Sequence, residues 1–98
     1  AEFAAILAID PRHTGAMYYI GVCWQALGEP DQALAAFEKL VAADPGNAEA
    51  HFKIGLLLHQ SGDLQAAIES YRRALFCDPA HEGARHNLGV AEAARKER

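Results

Sequence analysis

The sequence has little of what membrane proteins and nucleic-acid binders need. No apolar run approaches the roughly 18–20 residues that span a bilayer, and residues 1–9 lack the basic start of a signal peptide. Nine Lys and Arg stand against thirteen Asp and Glu, a net charge of −4, whereas nucleic-acid binders usually carry a basic excess. We therefore expect no membrane span and no nucleic-acid partner.

Cysteine is equally scarce. Cys23 and Cys77 are the two cysteines, and both fall at apolar positions of predicted helices. We predict buried free thiols, because free cysteine behaves as a small hydrophobic residue. A disulfide would require the two Cα atoms to lie within about 7 Å. Because the two cysteines are 54 residues apart, in different repeats, we expect no disulfide between them. Reduced cysteines favour a cytoplasmic location.

The residue patterns of catalytic and metal sites are also missing. The chain has five histidines, but no two of them show the i, i+4 spacing of a helical two-histidine metal site. No glycine-rich phosphate loop is present, and no cysteine or serine nucleophile has an evident base. We expect no catalytic residue, no metal and no cofactor, and hence no enzyme activity in this segment.

What the sequence does contain is a 34-residue repeat. Asp-Pro pairs begin at Asp10, Asp44 and Asp78. Other residues recur in the same phase: Gly21, Gly55 and Gly89; Phe3, Phe37 and Tyr71; Ile20, Ile54 and Leu88; Gly28 and Gly62; Ala33 and Ala67. A period of this length with these residue types is typical of stacked helical hairpins.

Each repeat predicts two helices with a glycine turn between them. Apolar residues recur at helical spacing in residues 15–27 and again in 33–41. Gly28 can end the first helix with a positive φ, and Pro30 suits the first turn of the next. The predicted divisions of a single array over residues 1–98 are a second helix in 1–13, repeats in 14–47 and 48–81, and a further first helix in 82–98.

The motif resembles that of tetratricopeptide repeats along essentially the whole chain. The matching residues are Met17, Ile20, Gly21, Trp24, Ala33, Phe37, Leu40 and Pro45, then His51, Ile54, Gly55, Leu58, Ala67, Tyr71, Ala74 and Pro79. Met17 and His51 depart from the family's bulky aromatic residue. The resemblance implies an all-α fold, an α-solenoid of antiparallel helix hairpins in a right-handed superhelix.

The resemblance also implies a protein-interaction scaffold that binds a peptide or helix in a concave groove. The residues of this chain at the groove positions are Tyr18, Val22, Gln25, Glu49, Phe52, Leu56, His59, His86 and Val90. Lysine and asparagine, which grip a peptide's C-terminal carboxylate in chaperone-binding members, are not at those positions. Lys53 and Asn87 are one residue out of phase.

Two other functions stay open. One is a substrate-presenting arm of a larger enzyme, such as a glycosyltransferase. The other is self-assembly, because Phe3, Ile6 and Leu7 would leave apolar surface open on a second helix that lacks its hairpin partner. On this interpretation the chain is a fragment, and self-association through the truncated N-terminal end is expected.

Overall fold

The computed structural model describes residues 13–97, which contain five helices and no strand. Their bounds are α1, Thr14–Ala26; α2, Pro30–Ala43; α3, Ala48–Gln60; α4, Leu64–Cys77; and α5, Glu82–Lys96. The chain divides into two compact units, Ala1–Pro45 and Gly46–Arg98. The helix predicted in residues 1–9 lies outside the described residues.

The turns inside the hairpins follow the sequence prediction. Gly28 has φ +75° and Gly62 has φ +90°, the left-handed backbone that glycine adopts without a steric penalty. Pro30 lies in the first turn of α2, where its missing N–H leaves no hydrogen bond unmade. Because only a short turn joins α1 to α2, and another joins α3 to α4, each pair packs side by side as a hairpin.

The first helices of the repeat start at capping residues that themselves recur with the repeat. His13, Asn47 and His81 precede α1, α3 and α5. Their side chains accept hydrogen bonds from the backbone N–H three residues later, at 2.9, 3.0 and 3.0 Å. Asparagine is a common cap, but histidine is not, so the sequence pattern did not reveal this shared role.

Each hairpin is closed by an aromatic ring lying against a glycine. Phe37 and Tyr71 are fully buried. A Cβ atom added to Gly21 would lie 2.6 Å from Phe37 Cε1, and one added to Gly55 would lie 2.5 Å from Tyr71 Cε1. Such distances are far inside van der Waals contact, so only glycine lets the two helices approach this closely.

One expectation about apolar positions needs correction, namely the burial of the two cysteines. Cys23 is exposed and Cys77 half-buried, and neither forms a disulfide. Cys23 lies on α1, whose buried residues are Ala16, Met17 and Gly21. Leu27 follows the end of α1 and is 70% exposed. Gly89 shares the repeat phase of Gly21 and Gly55 and is exposed.

Helix α5 packs against the rest of the second unit mainly through small residues. Its buried residues are Ala84 and Ala91, and Leu88 lies against the cluster around Leu64, Ile68 and Tyr71. None of the helices within residues 13–97 combines the length and the apolar character that crossing a membrane requires.

Candidate functional site

The predicted groove residues of α1 are partly buried. Tyr18, Val22 and Gln25 each keep an intermediate exposure. The Tyr18 ring lies 5.9 Å from that of Phe37 and 5.5 Å from that of Tyr19, centroid to centroid. Tyr18 is therefore fixed by the aromatic core of its own hairpin while part of its ring faces outward.

The Phe52 ring on α3 is held by contacts with two other rings. Its ring centroid lies 4.7 Å from His81 and 6.1 Å from Tyr71. Phe52 and Leu56 are both half-buried and both pack against the core of the second unit. They thus contribute to folding as well as to the exposed surface of α3.

A carboxylate–imidazole pair joins the first turn of α3 to the residue that caps α5. His81 Nε2 lies 2.7 Å from Glu49 Oε1, and the side chains are 14% and 43% exposed. The other ring nitrogen, Nδ1, accepts the hydrogen bond from the Ala84 N–H. In this arrangement the imidazole proton is on Nε2 and is donated to Glu49. The pair joins residues 49 and 81, at the starts of α3 and α5.

A second histidine is tied to the buried tyrosine. His59 Nδ1 and the Tyr71 hydroxyl oxygen share a hydrogen bond of 3.2 Å. Burial raises the pKa of Tyr71 to about 12, because the phenolate would lose its hydration. The Tyr71 hydroxyl therefore stays protonated at neutral pH, and His59 is held by a neutral partner.

The groove positions of α5 are the most open. His86 is exposed, and Val90, one turn further along the helix, is 44% exposed. The neighbouring Asn87 donates from Nδ2 to the carbonyl of Gly83 at 2.9 Å. Asn87 is thus engaged with its own helix.

Two further features of the described residues concern metal ligands and a cleft in the first unit. Within residues 13–97, no group of three His, Cys, Asp or Glu side chains is placed to hold a metal ion. The first unit has a cleft of about 220 Å³. It lies at helix positions other than the predicted groove and is lined by Met17, Ile20, Trp24, Gln32, Ala35, Ala36 and Lys39.

A comparison with protein families decides what the repeat is. The model of the tetratricopeptide repeat matches residues 25–82, more than half of the 98 residues. The chain belongs to the tetratricopeptide repeat family. No curated protein matches the sequence.

Several solved structures match the fold closely. MamA has a TM-score of 0.88 at 25% identity over 97% of this chain and 56% of its own. The O-GlcNAc transferase of Thermobaculum terrenum gives 0.83 at 30% identity, over 91% and 17%. YrrB, described as having an unusual peptide-binding site, gives 0.80 at 26% identity, over 87% and 44%. The chain thus spans about half the length of MamA.

For this tetratricopeptide chain, the structure adds contacts that the groove assignment did not include. Glu49 and Phe52 were singled out from the sequence, but their partner His81 was not. The signal was present in the repeat step that links His13, Asn47 and His81. Recognising it would have required expecting histidine as a helix cap.

Proposed function

We propose that this segment is a protein-interaction module that binds an apolar peptide or helix of a partner across its first helices. The carrying observation is the surface of the second unit, where half-buried Phe52 and Leu56 are accompanied by the exposed Val90. Exposed apolar groups with fixed neighbours are typical of interaction sites. Tyr18, Val22 and Gln25 would supply the corresponding surface of the first unit.

Support comes from the architecture and from one relative. Solenoid proteins use extended concave surfaces for binding, and the proposal includes the right-handed superhelix in which first helices line that surface. YrrB, at 26% identity, is described as having a peptide-binding site. With Val22 and Leu56 at positions where a carboxylate clamp would need polar donors, the partner is an apolar segment, not an acidic C-terminus.

The test is a selection of peptides from a random displayed library against the 98-residue chain. Binders are then measured against Val90→Lys and against Phe76→Lys. Both replace an exposed apolar residue, at 44% and 90% exposure, but only Val90 is a groove residue. We expect Val90→Lys to weaken binding about tenfold, the size of a lost central contact, and Phe76→Lys to leave it unchanged. Equal losses would contradict the groove assignment.

A second candidate is an arm that presents substrates to a catalytic domain. The observation that favours it is the 30% identity to an O-GlcNAc transferase, of which this chain covers 17%. The segment itself would be non-catalytic in either case, and we propose a cytoplasmic location for both. A glycosyltransferase domain in the same gene would support the arm, and its absence there would remove this candidate.

A further inference from the structure

The caps of α3 and α5 hold the same position of the repeat but differ in their response to protons. Asn47 caps α3 through its amide oxygen, 3.0 Å from the Ala50 nitrogen. His81 caps α5 through Nδ1, 3.0 Å from the Ala84 nitrogen. An amide oxygen accepts a hydrogen bond at every ordinary pH, whereas an imidazole nitrogen accepts one only while it carries no proton. The start of α5 therefore has a cap that acid removes.

His81 also holds α5 to α3. Its Nε2 lies 2.7 Å from Glu49 Oε1, so the neutral ring accepts from α5 and donates to α3 at the same time. Its centroid lies 4.7 Å from that of the Phe52 ring. A Cβ atom added to Gly83 would lie 2.9 Å from Phe52 Cζ and 3.3 Å from His81 Cε1. Both rings thus pack against the backbone of the first turn of α5, and a rotation of the imidazole would displace the Phe52 ring.

The charged residues near His81 come from α3, from the end of α4 and from α5. The Glu49 carboxylate is bonded to the imidazole. The others are Lys53, one turn after Glu49, and, within four residues of His81 in the chain, Asp78, Glu82 and Arg85. The Asp78 and Arg85 side chains bond to backbone groups of the connection between α4 and α5. Glu49 is therefore the charge that acts most directly on a protonated His81.

We propose that His81 is a pH-sensitive link between α3 and α5, which holds the start of α5 at neutral pH and releases it when the imidazole is protonated. Protonation places a hydrogen on Nδ1, so that two N–H donors face each other and the cap is lost. A positive charge is also unfavourable at a helix N-terminus. The bond to Glu49 becomes charge-assisted and stronger, so the ring stays with α3 and separates from α5. The cap stabilises α5 at neutral pH and is lost as pH falls through the histidine range.

NMR spectroscopy of the 98-residue chain tests the link at about pH 7.5 and about pH 5.5, on either side of the ordinary histidine value of about 6.5. The imidazole nitrogen shifts of His81 should show the Nε2–H tautomer at the higher pH. Protection of the Ala84 amide against hydrogen exchange, corrected for the intrinsic effect of pH, should fall about fivefold at the lower pH, the size of a helix cap's contribution. The Ala50 amide, capped by Asn47, is the internal control and should keep its protection.

Two substitutions separate the titration of His81 from its structural role. His81→Asn supplies the cap that the chain itself uses at Asn47, so Ala84 should keep its protection at both pH values. Glu49→Gln removes the charge that attracts the proton, so the loss of protection at Ala84 should move to lower pH by about one unit. Circular dichroism checks that both variants fold. If His81→Asn does not fold, the wild-type tautomer and the Glu49→Gln shift still decide the question.

One consequence for the groove rests on the proposed function. Because the Phe52 ring packs against the imidazole, peptides selected at neutral pH should bind the wild-type chain about fivefold more weakly at the lower pH. His81→Asn should bind them equally at both. If no peptide binds at either pH, the groove proposal fails, while the amide and tautomer measurements still test the link.

Three outcomes would overturn the link at His81. The first is an Nδ1–H tautomer at neutral pH, because that nitrogen could then not accept from Ala84. The second is an Ala84 amide whose corrected protection is the same at both pH values in the wild-type chain. The third is an equal loss of protection in His81→Asn, which would assign the change to another titrating group.

Discussion

Gly21, Gly55 and Gly89 share one position of the repeat but have different surroundings, which makes them a matched series. Replacing glycine by alanine inside a helix ordinarily stabilises it by about 1 kcal/mol. We expect that gain at Gly89, where nothing lies near the added methyl group. At Gly21 and Gly55 the methyl group would collide with Phe37 and Tyr71, and overpacking costs about 1–3 kcal/mol.

Thermal and urea unfolding of the three alanine variants measure this difference. Dilute samples keep any association between copies out of the comparison. Gly89→Ala should raise the free energy of unfolding, while Gly21→Ala and Gly55→Ala should lower it or leave it unchanged. A stabilisation of similar size at all three positions would mean that the aromatic rings move aside at little cost.

Tyr71 gives the second residue-scale prediction, a loss of stability at high pH. Burial raises its pKa to about 12 from the ordinary value of 10.0. The unfolded chain releases the phenol proton first, so stability is full below pH 10 and falls as pH rises toward 12. Two pKa units correspond to at most about 2–3 kcal/mol.

Urea unfolding at pH 9 and pH 11.5 tests this expectation in the wild type and in Tyr71→Phe. The variant loses the hydrogen bond to His59 and is less stable at pH 9, but it should lose less of its remaining stability between the two pH values. Identical pH dependence in both proteins would show that another group controls the alkaline transition.

At the scale of helices, the spacing of apolar residues and of helix-breaking residues predicted most of the architecture. The apolar period and the Gly28 and Asp-Pro breaks placed the described helices within about two residues, because local backbone preferences and one buried face decide them. Burial of Cys23 was predicted wrongly, because its apolar position in the repeat pattern does not bury it in this structure. The Glu49–His81 contact was not predicted: the repeat step marks His81 as a cap position, but histidine is a rare cap, and the contact joins residues distant in sequence.

Phe37 and Phe52, one in each hairpin, predict different costs of truncation because they differ in burial. Phe37 is fully buried on α2, and truncating such a residue costs about 3–5 kcal/mol. Phe52 on α3 is half-buried, although it touches His81 and Tyr71. We expect Phe52→Ala to lower the free energy of unfolding by about half as much as Phe37→Ala.

Peptide binding should show the reverse order. For peptides selected against the wild-type chain, Phe52→Ala should weaken binding more than Phe37→Ala under conditions where both variants are folded. Calorimetric unfolding and fluorescence polarisation measure the two quantities on the same samples. Equal destabilisation by both changes, with binding unaffected by Phe52→Ala, would assign Phe52 to the core alone.

At the scale of the whole molecule, repeat arrays can unfold one part at a time, because each repeat is stabilised mainly by its nearest neighbours. In the second unit, α4 contacts both α3 and α5 and buries Leu64, Ala67, Ile68, Ser70, Tyr71 and Ala74. Helix α5 buries Ala84 and Ala91. Local opening is cheapest where least apolar surface is buried, so amides of α5 should exchange with solvent before those of α4.

Hydrogen exchange in dilute solution tests this gradient. In dilute solution α5 should lose protection first, and Gly89→Ala should slow its exchange without changing that of α4, because the added helix propensity is local. Equal exchange of α4 and α5 in every sample would instead indicate that the second unit opens as a single cooperative element.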